Sequence, residues 1–97
     1  PWREETGREP MTDVMDRGDT VSVTVELPGV EKEDIDLRTT PERLTIKVDT
    51  EERQYHKEVD LDAPVDPKSV RATYKNGVLD ILLKKTSKDA GQSVDIE

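Results

Sequence analysis

Apolar residues fall at every second position in run after run of this chain, and that spacing limits its fold more than any other feature. From Thr20 to Leu27 the apolar set is Val21, Val23, Val25 and Leu27, while Ser22, Thr24 and Glu26 face the other way. Strict alternation of this kind marks a strand with one face buried, and β-branched valines fit a pleated surface. Pro28-Gly29 closes the run with turn residues. The pattern returns with Ile35 and Leu37 in residues 34–39, then with Leu44, Ile46 and Val48. It returns again with Tyr55, Val59 and Leu61, where Lys57 is the odd member, with Val70, Ala72 and Tyr74, and with Leu79, Ile81 and Leu83. A further short strand is expected near Asp13 to Met15.

The connections agree with the strands. Thr40-Pro41-Glu42 reads as a turn, and residues 50–53 as a short charged one. Asn76-Gly77 separates the last two runs; this dipeptide is a strong hairpin signal because a type I′ turn needs positive φ at both positions. Ala63-Pro64-Val65-Asp66-Pro67 is bounded by prolines and is not a central strand. Glu31-Lys32-Glu33-Asp34 reads as a turn, and no segment carries a helical period. Strands at roughly 8–12-residue spacing point to an all-β sandwich.

Composition sets the scale and removes several functions. Ninety-seven residues allow one domain with a modest core. Val, Ile, Leu and Phe total 22 residues, just above the fraction at which disorder becomes the expectation, so it is their periodicity that argues for a fold. Asp plus Glu number 23 against 15 Lys plus Arg, for a net charge of -8. That balance opposes nucleic acid as a partner, which needs a basic face, and opposes anionic membrane surfaces. No stretch approaches the ~18 apolar residues of a spanning helix, and no signal peptide is evident. With no cysteine, disulfides, thiolate metal sites and cysteine nucleophiles are excluded, which suits a reducing cytoplasm. The chain opens on Pro1, not Met, so processing or removal of the true N-terminus is expected, with any longer arm out of sight.

Catalytic parts are missing. His56 is the only histidine; a triad needs a base oriented between nucleophile and acid, and no Ser or Thr sits on a nucleophile elbow, so His56 reads as a surface or edge residue. Asp60, Asp62 and Asp66 lack the Gly and closing Glu of a calcium loop and read as a solvated acidic turn. Glu51-Glu52 would suggest glycosidase chemistry only in an aromatic-lined cleft, and the chain has three aromatics. No phosphate-binding glycine loop is present. No cofactor and no metal is expected. Trp2 reads as a terminal residue more than as an anchor for the arm.

The C-terminal tail is the one segment that points outward. Residues 84–93, Lys-Lys-Thr-Ser-Lys-Asp-Ala-Gly-Gln-Ser, cannot bury themselves. Val94-Asp95-Ile96 follows, two β-branched residues on one face of an extended segment. Such a tail suits docking into a groove by strand addition; the plainer reading is a frayed end.

Taken in order, Glu26-Leu27-Pro28-Gly29-Val30, Lys32-Glu33-Asp34-Ile35, Leu44-Thr45-Ile46 and Ala72-Thr73-Tyr74-Lys75-Asn76-Gly77-Val78-Leu79 closely resemble an α-crystallin domain of the small heat-shock proteins. Each motif alone is weak; four in sequence with Val94-Asp95-Ile96 behind them are specific. The resemblance implies an immunoglobulin-like β-sandwich of two antiparallel sheets over residues 11–85, a remnant of an N-terminal arm over 1–10, and a flexible tail over 86–97. It implies ATP-independent holding of non-native client proteins and self-assembly into homodimers and higher oligomers, with neither nucleic acid nor membrane as partner. Val94 and Ile96 would be the anchor. The accepting groove would lie between the strand of Ile35 and Leu37 and the strand of Val70, Ala72 and Tyr74, although one alternating row describes core and groove residues equally.

The sequence departs from the family pattern in three places. Only residues 50–53 stand where many members carry a long loop with a swapped strand, and at ~3.3 Å per residue they cannot cross to a partner and return. Self-pairing of the 54–61 edge through Tyr55, His56, Lys57 and Val59 is the expected substitute, with a monomer or weak dimer as the alternative. That strand carries Lys57 where many members place Arg. The arm is reduced to ten polar residues, which lowers the holding activity expected of this chain. Two other readings fit the same sandwich: a p23-like co-chaperone domain, which would not need the tail anchor, and a scaffold module with one fixed partner.

Overall fold

The computed structural model describes residues 9–86 and Ile96. Seven strands follow in chain order: β1 (Thr12–Asp16), β2 (Thr20–Glu26), β3 (Ile35–Thr39), β4 (Arg43–Asp49), β5 (Gln54–Asp60), β6 (Arg71–Lys75) and β7 (Val78–Lys84). They form two antiparallel sheets, one of order β1-β2-β7-β6 and one of order β3-β4-β5. All six alternating runs are strands, and the expected short strand near Asp13 is β1. The Glu31–Asp34 turn is a single 3-10 turn over Lys32–Asp34, held by Asp34 N–H to Glu31 O at 2.9 Å and Glu31 N–H to Asp34 Oδ2 at 3.0 Å.

Alternation becomes packing through register. Val21, Val23 and Val25 of β2 stand opposite Leu83, Ile81 and Leu79 of β7, and opposed residues share a face. Those six join Leu44, Ile46 and Val48 of β4, Tyr55 and Val59 of β5, and Leu27 in one buried core. Val65 completes it, fully buried. The proline-bounded connection makes no central strand, yet Val65 forms an isolated bridge to Lys85 and donates its N–H to Pro41 O at 2.8 Å. The bridge and this bond thus draw an aperiodic valine into the sandwich.

Two tight turns set strand geometry. Asn76 at φ 53° and Gly77 at φ 80° join β6 to β7, the left-handed pair a two-residue hairpin requires. The crossover from β2 to β3 passes through Pro28-Gly29-Val30 and is held from both sheets. Tyr55 Oη donates to Pro28 O at 3.1 Å. Tyr74 Oη donates to Leu27 O at 2.6 Å, with Val30 O 3.1 Å away. Leu27 N–H bonds Gly77 O at 2.8 Å, tying the crossover to the hairpin.

Candidate functional site

β3 and β6 are edge strands, one in each sheet. Among the described residues each pairs on one side only and carries one apolar row. Ile35 and Leu37 stand opposite Val48 and Ile46 of β4; Ala72 and Tyr74 stand opposite Ile81 and Leu79 of β7. Where the two edges meet, a cleft of about 150 Å³ opens, lined by Lys32, Ile35, Leu37, Ala72, Thr73, Tyr74 and Leu79. Its floor is Leu79, in the core, and Ile35, Leu37 and Tyr74 are half-buried at its walls. An apolar cavity of that size holds one benzene-sized group, which suits aliphatic side chains better than a metabolite. The Tyr74 hydroxyl, spent on the crossover carbonyls, leaves its ring as an apolar wall.

Four of the five residues expected to form a groove line this cleft: Ile35, Leu37, Ala72 and Tyr74. Val70 does not. It follows the 3-10 turn Pro67–Ser69, precedes β6, and packs half-buried against the core. Lys32 is not singled out by sequence, where it is one charge in a charged turn; that turn places it in the lining of the cleft. Ile96 is 93% exposed, and Val94 lies outside the described residues.

The β5 edge is built differently. Tyr55 and Val59 point inward and are buried at 7% and 6% exposure, so they contribute to this edge through their backbone. His56 points outward, 3.7 Å from Glu58. Lys57 shares the inward face with Tyr55 and Val59, and its Nζ lies 3.5 Å from Glu9 Oε1. Pro10, next to Glu9, is buried. The odd member of the alternating row is thus a half-buried lysine with an acidic partner from the segment leading into β1.

A larger depression of about 500 Å³ lies among Thr40, Glu42, Arg43, Asp60, Leu61, Asp62 and Pro64. Two of its charged residues, Arg43 and Asp60, are paired with one another. Arg43 Nε donates to Asp60 Oδ1 at 2.9 Å, with Glu58 3.5 Å away, and the Asp60 hydrogen bond raises the Arg43 pKa above its usual value. Asp66 accepts from Lys68 N–H at 2.9 Å, holding its own turn. Asp60 and Asp66 therefore serve separate contacts. Among the described residues no helix is long and apolar enough to cross a membrane.

Comparison with known proteins agrees with this architecture. Residues 13–97 match the model of the Hsp20/alpha crystallin family. Heat shock protein 16 of Schizosaccharomyces pombe is 33% identical over 97 residues, covering 81% of this chain and 68% of that protein. Small heat shock protein C2 of Rickettsia felis is 31% identical over 104 residues, covering 91% of this chain and 66% of that protein. The chain thus spans about two thirds of the length of these relatives. Among solved structures, heat shock protein 16.0 from S. pombe superposes with a TM-score of 0.75 at 29% identity, covering 94% of this chain and 76% of the other. With its two antiparallel sheets, its paired edge strands around an apolar cleft and this match over nearly its whole length, the chain belongs to the Hsp20/alpha crystallin family, the small heat shock proteins, which are chaperones and not enzymes.

Proposed function

We propose that this chain is an ATP-independent holdase of the cytoplasm, which binds partly unfolded proteins and assembles with itself through its C-terminal Val94-Asp95-Ile96 segment. The observation that carries the reading is the cleft between β3 and β6. It is apolar, open, small enough for aliphatic side chains, and flanked by two unpaired strand edges. An extended segment entering there gains backbone hydrogen bonds from an edge and burial for alternate side chains. Val94 and Ile96 would be the alternate pair, and Lys32 in the lining would offer an opposite charge to Asp95 or Glu97 of a docked tail. The same surface, when vacant, offers exposed apolar segments of non-native clients a place to bind. Two aliphatic side chains contribute ~3–5 kcal/mol before ordering costs are subtracted, so docking is weak and subunits exchange. Heating favours the undocked tail through its conformational entropy. The second self-contact is the β5 edge, through His56, Lys57 and the backbone of Tyr55 and Val59; the four-residue connection before it makes strand swapping unavailable.

The test pairs assembly mass with client protection. Size-exclusion chromatography with light scattering is run on the chain and on a Val94→Ala/Ile96→Ala variant, and each is mixed with a heat-labile protein without nucleotide. The expected result is a wild-type assembly larger than a dimer that suppresses client aggregation, and a variant that collapses to dimer or monomer. Equal masses and equal protection would remove the tail from the mechanism; absence of protection by the wild-type assembly would remove the holdase reading.

A further inference from the structure

We propose that two copies of this chain pair β5 against β5 in one register, with Lys57 on the twofold axis and Glu9 of each copy neutralising it. This rests on the reading that β5 is the dimer edge, and fixes what that reading leaves open. β3 and β6 border the cleft assigned to the tail, leaving β1 and β5 as the edges without a strand partner among the described residues. β1 has five residues, four of them exposed and the fifth half-buried; a strand without a buried face specifies register weakly. β5 has seven, pinned by buried Tyr55 and Val59.

Symmetry narrows the register. A twofold axis relating two antiparallel edge strands stands perpendicular to the sheet and preserves its faces. Directly opposed residues point to the same face, so the axis passes through a residue and never between two. Centred on Lys57, all seven residues of β5 pair. Tyr55 meets Val59 of the second copy on the inward face, twice. His56 meets Glu58 on the outward face, twice, and Gln54 meets Asp60. Centred on His56, the pairing leaves Val59 and Asp60 unmatched within the strand. Centred on Glu58, two carboxylates oppose one another, which is unfavourable.

The cost of the Lys57 register is two ammonium groups on one face at its centre. An inward-pointing charge on an edge strand is a usual guard against edge-to-edge pairing. Here each Lys57 already has Glu9 at 3.5 Å, so the pair becomes an alternating set of four charges. Glu9 is a positioning residue for the dimer: the segment before β1 decides whether the β5 edge is open to a second copy.

The chain has no cysteine, so single substitutions report register directly. Lys57→Cys, His56→Cys and Glu58→Cys are made separately in the full chain and oxidised under mild conditions. Opposed residues lie ~4.5–5.5 Å apart at Cα, within disulfide reach, whereas residues displaced by two positions lie at ~7–8 Å, outside it. Lys57→Cys is expected to convert most of the chain to a linked dimer, with the other two at background, and Glu9→Gln is expected to raise the dimer dissociation constant several-fold. A linked dimer from His56→Cys or Glu58→Cys, with Lys57→Cys silent, overturns the register while keeping the edge. A chain that is monomeric, or dimeric with no link at any of the three positions, overturns the β5 edge itself.

Discussion

Gly29 shows how tightly single positions are specified. It sits at φ 83° in the crossover between sheets, and a Cβ built there would lie 2.7 Å from Arg53 Nε. Gly29→Ala is therefore expected to cost about 1–2 kcal/mol for the left-handed backbone alone, plus the displacement of Arg53. The urea midpoint checks it, and Arg53→Ala in the same chain should recover the second part and not the first. Asp16 gives a pH-dependent case. Lys85 Nζ lies 2.9 Å from both its carboxylate oxygens, and Gly18 N–H donates to it at 2.9 Å. The Lys85 hydrogen bond, then the Gly18 amide, hold its pKa below the usual value. A carboxyl depressed on folding stabilises fully above the unfolded value of about 3.9, and that contribution is lost as pH falls through the lower folded value. Asp16→Asn should flatten the acid side of the stability profile measured by denaturant unfolding from pH 5 to pH 2, the variant lying below the parent chain at neutral pH and the two curves meeting at low pH; the difference is small because the Asp16 side chain is largely exposed. An unaltered acid limb would contradict the assignment. Neither contact is legible in sequence: Asp16 and Lys85 are 69 positions apart, and nothing in a charged turn names Arg53 as the neighbour of Gly29.

At the scale of elements, what decides a strand's contribution is its place in the sheet. β7 lies between β2 and β6, and Ile81 is 1% exposed at its centre; β1 is an edge, and Val14 is 48% exposed. Ile81→Ala is expected to cost ~2–5 kcal/mol and Val14→Ala to stay within ~0.5 kcal/mol. Chemical denaturation compares them, and similar losses would mean that β1 is covered in solution as fully as β7. The same contrast explains which elements could be read from sequence. β2, β4 and β7 were plain because each buries one face, and period-two alternation is the direct record of that. Val65 was not, because it enters the core from an aperiodic connection held by a bridge to Lys85 and a backbone bond to Pro41. The cleft was half legible. Ile35, Leu37, Ala72 and Tyr74 follow from alternation on two strands, but alternation alone cannot say that β3 and β6 are the edges that leave their rows uncovered. Val70 fits the same alternation, yet the 3-10 turn before β6 keeps it off the cleft.

For the whole molecule, the sandwich leaves four strand edges, and natural proteins guard such edges or use them. In the assembly proposed above both uses would operate: β3 and β6 would flank a cleft for a tail, and β5 would meet a second copy. The net charge of -8 opposes indiscriminate association, so specific docking is left to weak, reversible contacts. The measurement closest to that claim is a titration of a peptide of residues 92–97, Gln-Ser-Val-Asp-Ile-Glu, into the Val94→Ala/Ile96→Ala chain, followed by amide chemical shifts. Docking in the cleft is expected to give saturable shifts centred on Ile35, Leu37, Ala72 and Tyr74, with a dissociation constant on the order of 1 mM, and none when the peptide's Val and Ile are alanine. Shifts that never saturate, or that gather on β1 or β5 in place of the cleft, would contradict it.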